Sequence, residues 1–355
     1  MKKKKKIIVS FGTRPEIIKL APIINLLKKK KVDLKLVHSG QHYSSNMSKI
    51  FLNDFRINKI DYHLNFKKKD NSKKFINFYS DKFKRILLEE NPDSLIVQGD
   101  TNTCLVSAFV AKILNNLNLI KTKIIHIEAG LRSYDLKMPE ESNRIIVDHL
   151  SDILFPPTKI QKKILKNEGI KKPIYVVGST IADNLENKKF DKINGNFFLL
   201  TIHRYENVTI KKRLIKIFSI MKRVSKIYKT KVIFPCHPNT QNKIKSFKIK
   251  LDDNINIINP VDYKKFLSYL QNCKVVFSDS GGLQEEACIL KKHLITFRDN
   301  TERPETINID ANFLSMLNEE KVLRRLKKIF TKKISWKKHP YGINVSNKIV
   351  NYIIK

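Results

Sequence analysis

An α/β protein of two doubly wound, parallel-sheet domains is what this sequence predicts, and three observations carry the prediction. The chain has 355 residues, more than a single hydrophobic core comfortably organises. Short, continuously apolar runs alternate with longer helical patterns, as expected of parallel strands covered on both faces. The alternation lapses once, in the polar stretch LENKKFDKINGNF at 185–197, which places a domain boundary there.

Taken in order, the strand candidates of the first series are IIVSF (7–11), LKLVHS (34–39), SLIVQG (94–99), KIIHIE (123–128), ILFPP (153–157) and IYVVGS (174–179). The second series is FFLLTIH (197–203), KVIFPC (231–236), INIINP (255–260), KVVFSD (274–279) and LITFRD (294–299). Strands separated by helices build βαβ units and hence doubly wound sheets. After Trp336, HPYGINVSNKIVNYIIK reads as a turn and a closing helix. The domains expected are 1–184, with 340–355 packing back on it, and 185–339.

Composition narrows the function. Lys and Arg number 70 against 33 Asp and Glu, a formal charge of +37. Such a surplus suits an anionic partner, but the lysines are spread along the whole chain. Neither an aromatic RNA-binding motif nor a paired Cys/His finger accompanies them, so no nucleic acid is expected. Cys104, Cys236, Cys273 and Cys288 form no CxxC pair and read as reduced, buried thiols of a cytoplasmic protein. The opening MKKKKKIIVSFGTRPE carries only five apolar residues between the lysines and polar GTRPE, too few for a signal peptide. No run reaches the roughly 20 residues of a membrane span.

The polar clusters fall at the C-terminal ends of strands, the edge where open α/β sheets bind ligands. Facing domains would bring both sets of loops to one interdomain cleft. In GTRPEIIKLAP (12–22), Arg14 and Lys19 set two cations at a helix N-terminus. They oppose the helix dipole, so either a bound anion explains them or they are solvated charges. Pro22, inside that helix, should kink it or remove a bond. In VQGDTNT (97–103), Asp100 is either a site carboxylate or a helix cap. Glu128 ends a strand beside Ala129-Gly130. Glu140 and Arg144 are four apart on a helix opened by Pro139, consistent with a site or with an ordinary ion pair. His203 closes a strand of the second domain and is either functional or structural. In SDSGGLQEEA (278–287), Ser280, Gly281 and Gly282 open a helix whose free N–H groups suit a phosphate. Together these form an acid/base set and a diphosphate clamp. There is no GxGxxG fingerprint, P-loop or GxSxG elbow, so no cofactor is expected. His38 and His42 are four apart in a strand-to-loop stretch rather than a helix, so no metal is expected either.

Read as an ordered set, FGTRPEIIKLAPII, SGQHYSSNM, VQGDTNT, HIEAGLRS, PEESNR, HRYENV, SDSGGLQEEA and RDNTERPET closely resemble the non-hydrolysing UDP-N-acetylglucosamine 2-epimerases across nearly the whole chain. The resemblance implies a GT-B-like pair of Rossmann-like domains, a homodimer, and a UDP-sugar substrate. The reaction implied is reversible inversion at C2 to UDP-N-acetylmannosamine, a precursor of surface polysaccharide. It further implies catalytic roles for Asp100, Glu128, Glu140 and His203. Arg14, Lys19, Ser280, Gly281, Gly282, Glu286 and Arg303 match nucleotide-contacting positions, with Glu286 on the ribose and Phe266 near the uracil. Gln41, His42, Arg144 and His237 lie in segments that bind a second, activating UDP-N-acetylglucosamine in some members. Val261 stands where some members carry glutamine.

The alternatives are a 2-epimerase of a modified UDP-2-acetamido sugar such as a 2,3-diacetamido uronic acid, a hydrolysing 2-epimerase, and a GT-B glycosyltransferase. A basic nucleic-acid-binding protein is the non-enzymatic alternative. The TERPE segment at 301–305 looks more like the N-acetylglucosamine enzymes.

Overall fold

The computed structural model describes residues 4–41, 52–66, 72–186, 188–332 and 336–355. It divides into two compact units, Met1–Asn184 with Tyr341–Lys355, and Leu185–Pro340.

The first unit holds six strands, β1 (Lys6–Phe11), β2 (Asp33–His38), β3 (Tyr62–His63), β4 (Ser94–Gln98), β5 (Lys123–Ile127) and β6 (Ile153–Phe155). They pair in the order β3-β2-β1-β4-β5-β6, every pairing parallel. Ile7, Ile8, Val9 and Phe11 of β1 are fully buried, because helices cover both faces of the sheet. Ile8 stands between Lys35 of β2 and Leu95 of β4.

The second unit repeats this design. Its strands are β7 (Phe197–Thr201), β8 (Lys231–Pro235), β9 (Ile255–Ile258), β10 (Val276–Ser278), β11 (Leu294–Thr296) and β12 (Asn312–Leu314). Their order, β12-β11-β10-β7-β8-β9, is the same winding read from the other end. Each sheet therefore reverses direction once, between β1 and β4 and between β7 and β10, and such reversal points are where doubly wound sheets take ligands.

Two short strands, β3 and β12, escape the sequence reading, and one expected strand fails. Residues 174–179 make a single bridge, Ile174 to Leu154. The backbone then turns away at Gly178, whose φ is +109°, and Ser179 N–H bonds the Tyr341 carbonyl at 2.9 Å. A Cβ at Gly178 would strike that same carbonyl, so the glycine is required by close approach.

The closing helix, Val345–Ile354, packs with the helix Arg14–Lys28 in the first unit. Its N-cap Asn344 is left-handed and makes no side-chain cap. Asp183 substitutes, accepting from Val345 N at 2.9 Å and Ser346 N at 2.6 Å. The neighbouring Asn184 explains Pro22. Proline has no N–H to give the Ile18 carbonyl, and Asn184 Nδ2 donates to that carbonyl instead. No helix among the described residues is long and apolar enough to cross a membrane.

Candidate active site

In the first unit the chain places its polar residues just past β1, β4 and β5. Glu128, the residue after β5, has φ +71°, a left-handed conformation that disfavours any side chain but glycine and that clusters at functional sites. Its N–H and that of Ala129 both bond the Phe155 carbonyl, at 3.0 and 3.3 Å, which holds the turn. Lys19 Nζ pairs with Glu128 Oε1, and Gln98 Nε2 donates to Oε2. All three side chains are buried. Lys19, expected on the nucleotide, is thus placed on the carboxylate.

Asp100 follows Gly99, whose φ is +73°. Its carboxylate pairs with Arg144 Nη2, and its carbonyl accepts from Asn143 Nδ2 at 2.9 Å. Thr101, not Asp100, caps the helix Asn102–Asn116, so the alternative reading of Asp100 as a cap is set aside. The ion pair Glu140–Arg144 does not form either. Glu140 is exposed in the first turn of the helix Pro139–Leu150, while Arg144 Nη1 takes Glu141 Oε2 at 2.5 Å. Spacing alone leaves i,i+3 and i,i+4 equally available. Glu141 wins because Ser133 N at 3.0 Å and Tyr134 N at 2.8 Å already fix it. Below these turns, His126 bonds Asp148 at 2.8 Å and the Gly99 carbonyl at 2.9 Å.

The helix N-terminus after β1 is filled by the chain itself. Glu16 Oε2 accepts from Gly12 N at 3.0 Å and from Thr13 N and Oγ1 at 2.8 Å. Its Oε1 accepts from Thr101 Oγ1 at 2.8 Å. Glu16 is buried, and burial pushes its carboxyl up to about 7 against these hydrogen bonds. Any anion here would meet side chains such as the exposed Arg14 rather than these two backbone N–H groups. Gln41 Oε1 accepts from Thr103 N at 2.9 Å, which ties it to the Asp100 turn. His42 lies outside the described residues.

In the second unit, Ser280 caps the helix Gly281–Ile289. A Cβ at Gly281 would strike Glu302 Oε1, whereas one at Gly282 would meet only open space. Gly281 therefore leaves room for the buried Glu302 carboxylate, and Gly282 leaves its backbone approachable. Glu286 Oε1 accepts from Tyr263 Oη at 2.7 Å. Phe266, one helical turn on from Tyr263, is half-buried. Glu285 is fully buried and pairs with Arg303, so this second glutamate serves a cation of the same unit. His203 is half exposed, with Nδ1 at 3.2 Å from the buried Asp279. His237 caps the helix Pro238–Ser246, its Nδ1 accepting from Asn239 N at 3.2 Å.

Sequence reasoning missed Gln98, Glu16, Asn143, Glu141, Tyr263 and Asp279. Of these, only Glu16 carried a local signal, the T-x-x-E spacing of a capping box.

A family model described as UDP-N-acetylglucosamine 2-epimerase matches residues 25–354. The UDP-N-acetylglucosamine 2-epimerase of Methanocaldococcus jannaschii is 43% identical over 356 residues, covering 95% of each chain. A crystal structure of the Methanocaldococcus jannaschii UDP-GlcNAc 2-epimerase in complex with UDP-GlcNAc and UDP superposes with a TM-score of 0.85 at 41% identity, covering 99% of each chain. The UDP-2,3-diacetamido-2,3-dideoxy-D-glucuronate 2-epimerase of Pseudomonas aeruginosa is 33% identical over 362 residues, covering 99% of each chain.

Proposed function

This chain belongs to the UDP-N-acetylglucosamine 2-epimerase family, and from that premise we propose that it reversibly inverts C2 of UDP-N-acetylglucosamine to give UDP-N-acetylmannosamine. The observation that carries the reading is Glu128, a buried carboxylate in a left-handed turn at the sheet edge, held by Lys19 and Gln98. Asp100 ends the neighbouring strand, braced by Arg144. The higher identity to the N-acetylglucosamine enzyme than to the diacetamido-glucuronate enzyme, 43% against 33%, favours the simpler sugar.

The C2 proton of an acetamido sugar is not acidic, and no ketone adjoins it. Elimination is the economical route. A carboxylate removes the C2 proton as the C1–O bond breaks, and UDP departs with the electron pair, leaving 2-acetamidoglucal. UDP then adds back to C1 while a proton is delivered to the opposite face of C2. Glu128, Asp100 and the exposed Glu140 are the proton-transfer groups, worth roughly 10²–10⁴-fold each. Arg14, His203 and Arg303 offset the charge on departing UDP. Ser280, Gly281 and Gly282 meet the diphosphate, Glu286 the ribose and Phe266 the uracil. A second UDP-N-acetylglucosamine, if bound through Arg144, would act on Asp100 directly, because Arg144 is paired with it.

We further infer a homodimer working in the cytosol on a surface-polysaccharide precursor. Phe109, Ile113 and Leu117 recur at helical spacing and are 49%, 41% and 61% exposed, a stripe that a second copy would cover. The four free, buried cysteines accord with a reducing compartment. Sedimentation should report a dimer, and Phe109→Lys should shift it to monomer.

Proton NMR of the protein with UDP-N-acetylglucosamine in D₂O tests the reaction. UDP-N-acetylmannosamine bearing deuterium at C2 is expected. Free N-acetylmannosamine plus UDP would replace the reading with the hydrolysing class, and an unchanged substrate would reject it.

A further inference from the structure

Asp279 ends the β10 edge and His203 the β7 edge, so the two residues face each other across the reversal point of the second sheet. Asp279 is fully buried. Oδ1 accepts from His203 N at 3.1 Å, and Oδ2 accepts from Arg204 N at 3.0 Å and Asn207 Nδ2 at 3.1 Å. The Asn207 amide is itself oriented, since its oxygen takes Arg213 Nε at 2.9 Å and its nitrogen also donates to the Phe297 carbonyl at 3.0 Å. Asp279 is thus ringed by donors. A carboxyl in that setting has no acceptor toward which to point a proton, so it is ionised and acceptor-only. Burial by itself would raise this carboxyl, but the bonds from His203, Asn207 and Arg204 outweigh burial and hold it below its usual value.

We propose that Asp279 is the positioning residue of His203, fixing the imidazole with its proton on Nδ1 and presenting Nε2 to the departing diphosphate. Nδ1, 3.2 Å from Asp279 Oδ1, must be the donor, because its partner cannot donate. Nε2 then lies on the half-exposed part of the ring; an imidazole that has taken a proton there from solvent donates that N–H to the diphosphate oxygen that keeps the C1–O electron pair. The same carboxylate fixes the backbone of His203 and Arg204, so ring and loop are set by one group. The kinetic part of this inference rests on the epimerase reading; the tautomer part does not.

Asp279→Asn is the informative change. An amide nitrogen at the Oδ2 position would confront both the Arg204 and Asn207 donors, whereas at the Oδ1 position it confronts only the His203 N–H, which keeps Oδ2 as an acceptor at 3.2 Å, so the amide nitrogen faces His203. The imidazole then has to accept at Nδ1 and carry its proton on Nε2. ¹⁵N NMR of the unliganded wild type should show the neutral Nδ1–H tautomer for His203, and Asp279→Asn should show Nε2–H. Turnover should fall by about 10²-fold or more, as the wrong tautomer costs in other Asp–His pairs, with UDP affinity within about threefold of wild type. In a His203→Gln background the same change should cost almost nothing further, the mark of one residue acting through another. An Nε2–H tautomer in the wild type would overturn the proposal without any variant having to fold. An equal loss in the His203→Gln background would also overturn it. Failure of the wild type to turn over UDP-N-acetylglucosamine would remove the epimerase reading and leave the tautomer measurement to judge Asp279.

Discussion

The two units share a winding and use charge in opposite ways. In the first, cations stand behind carboxylates: Lys19 behind Glu128 and Arg144 behind Asp100. In the second, carboxylates stand behind nitrogen donors: Asp279 behind the His203 ring, Glu285 behind Arg303, and Glu302 beside Arg298 at 2.8 Å. Each reversal point is also laced by one buried carboxylate, Glu16 reaching Thr101 and Asp279 reaching His203. Glu16 is held by backbone N–H and hydroxyl groups and is driven up to about 7, whereas Asp279 has an imidazole and stays below its usual value. One sheet edge presents carboxylates, and the other presents Arg303, the His203 ring and the approachable backbone of Gly282.

The largest effect should come from the first unit. Asp100→Asn keeps the Asn143 bond to the backbone and should fold, yet lose roughly 10²–10⁴-fold in turnover by the NMR assay. Wild-type rates would break the comparison at its acidic end.

Next in size is a pH effect on stability. Between the ordinary carboxyl value of 4.5 and about 7, folded Glu16 keeps a proton that the unfolded chain releases. Stability therefore falls as pH rises through that window, by about 3 kcal/mol in all. Glu16→Gln imitates the protonated form. Its denaturation midpoint should rise relative to wild type as pH climbs from 5 to 8. Asp279 has the opposite sign, its contribution being present at neutral pH and lost only as pH drops below the carboxylate range.

Smaller effects sharpen the second unit. Gly281→Ala should destabilise by about 1–3 kcal/mol through the collision with Glu302. Gly282→Ala should leave the melting curve alone and weaken UDP binding. Unchanged UDP affinity in both variants would mean that neither glycine serves a ligand. Smallest of all, Asn184→Ala strands the Ile18 carbonyl beneath Pro22 and should cost on the order of 1 kcal/mol in chemical denaturation.

These cases also show how far the residues speak in order. Continuous apolar runs announce ten of the strands, since a strand buried on both faces cannot alternate. They do not announce β3 and β12, the edge strands YH and NFL, which lie in no continuous apolar run. Nor do they warn that Gly178 diverts 174–179 toward Tyr341. Candidate groups such as Asp100, Glu128 and His203 are legible because strand-end polar residues stand out against apolar runs. The groups behind them are not. Gln98 reads as one more strand residue and Asp279 as one more turn residue. The reason for Pro22 stands at Asn184, far along the chain, where no local rule looks.

The most direct test of this division of labour is calorimetric titration of UDP into Glu128→Gln, paired with its turnover. The account predicts UDP affinity within about threefold of wild type alongside a turnover loss of at least about 10²-fold. Parallel loss of both, or full turnover, would contradict it.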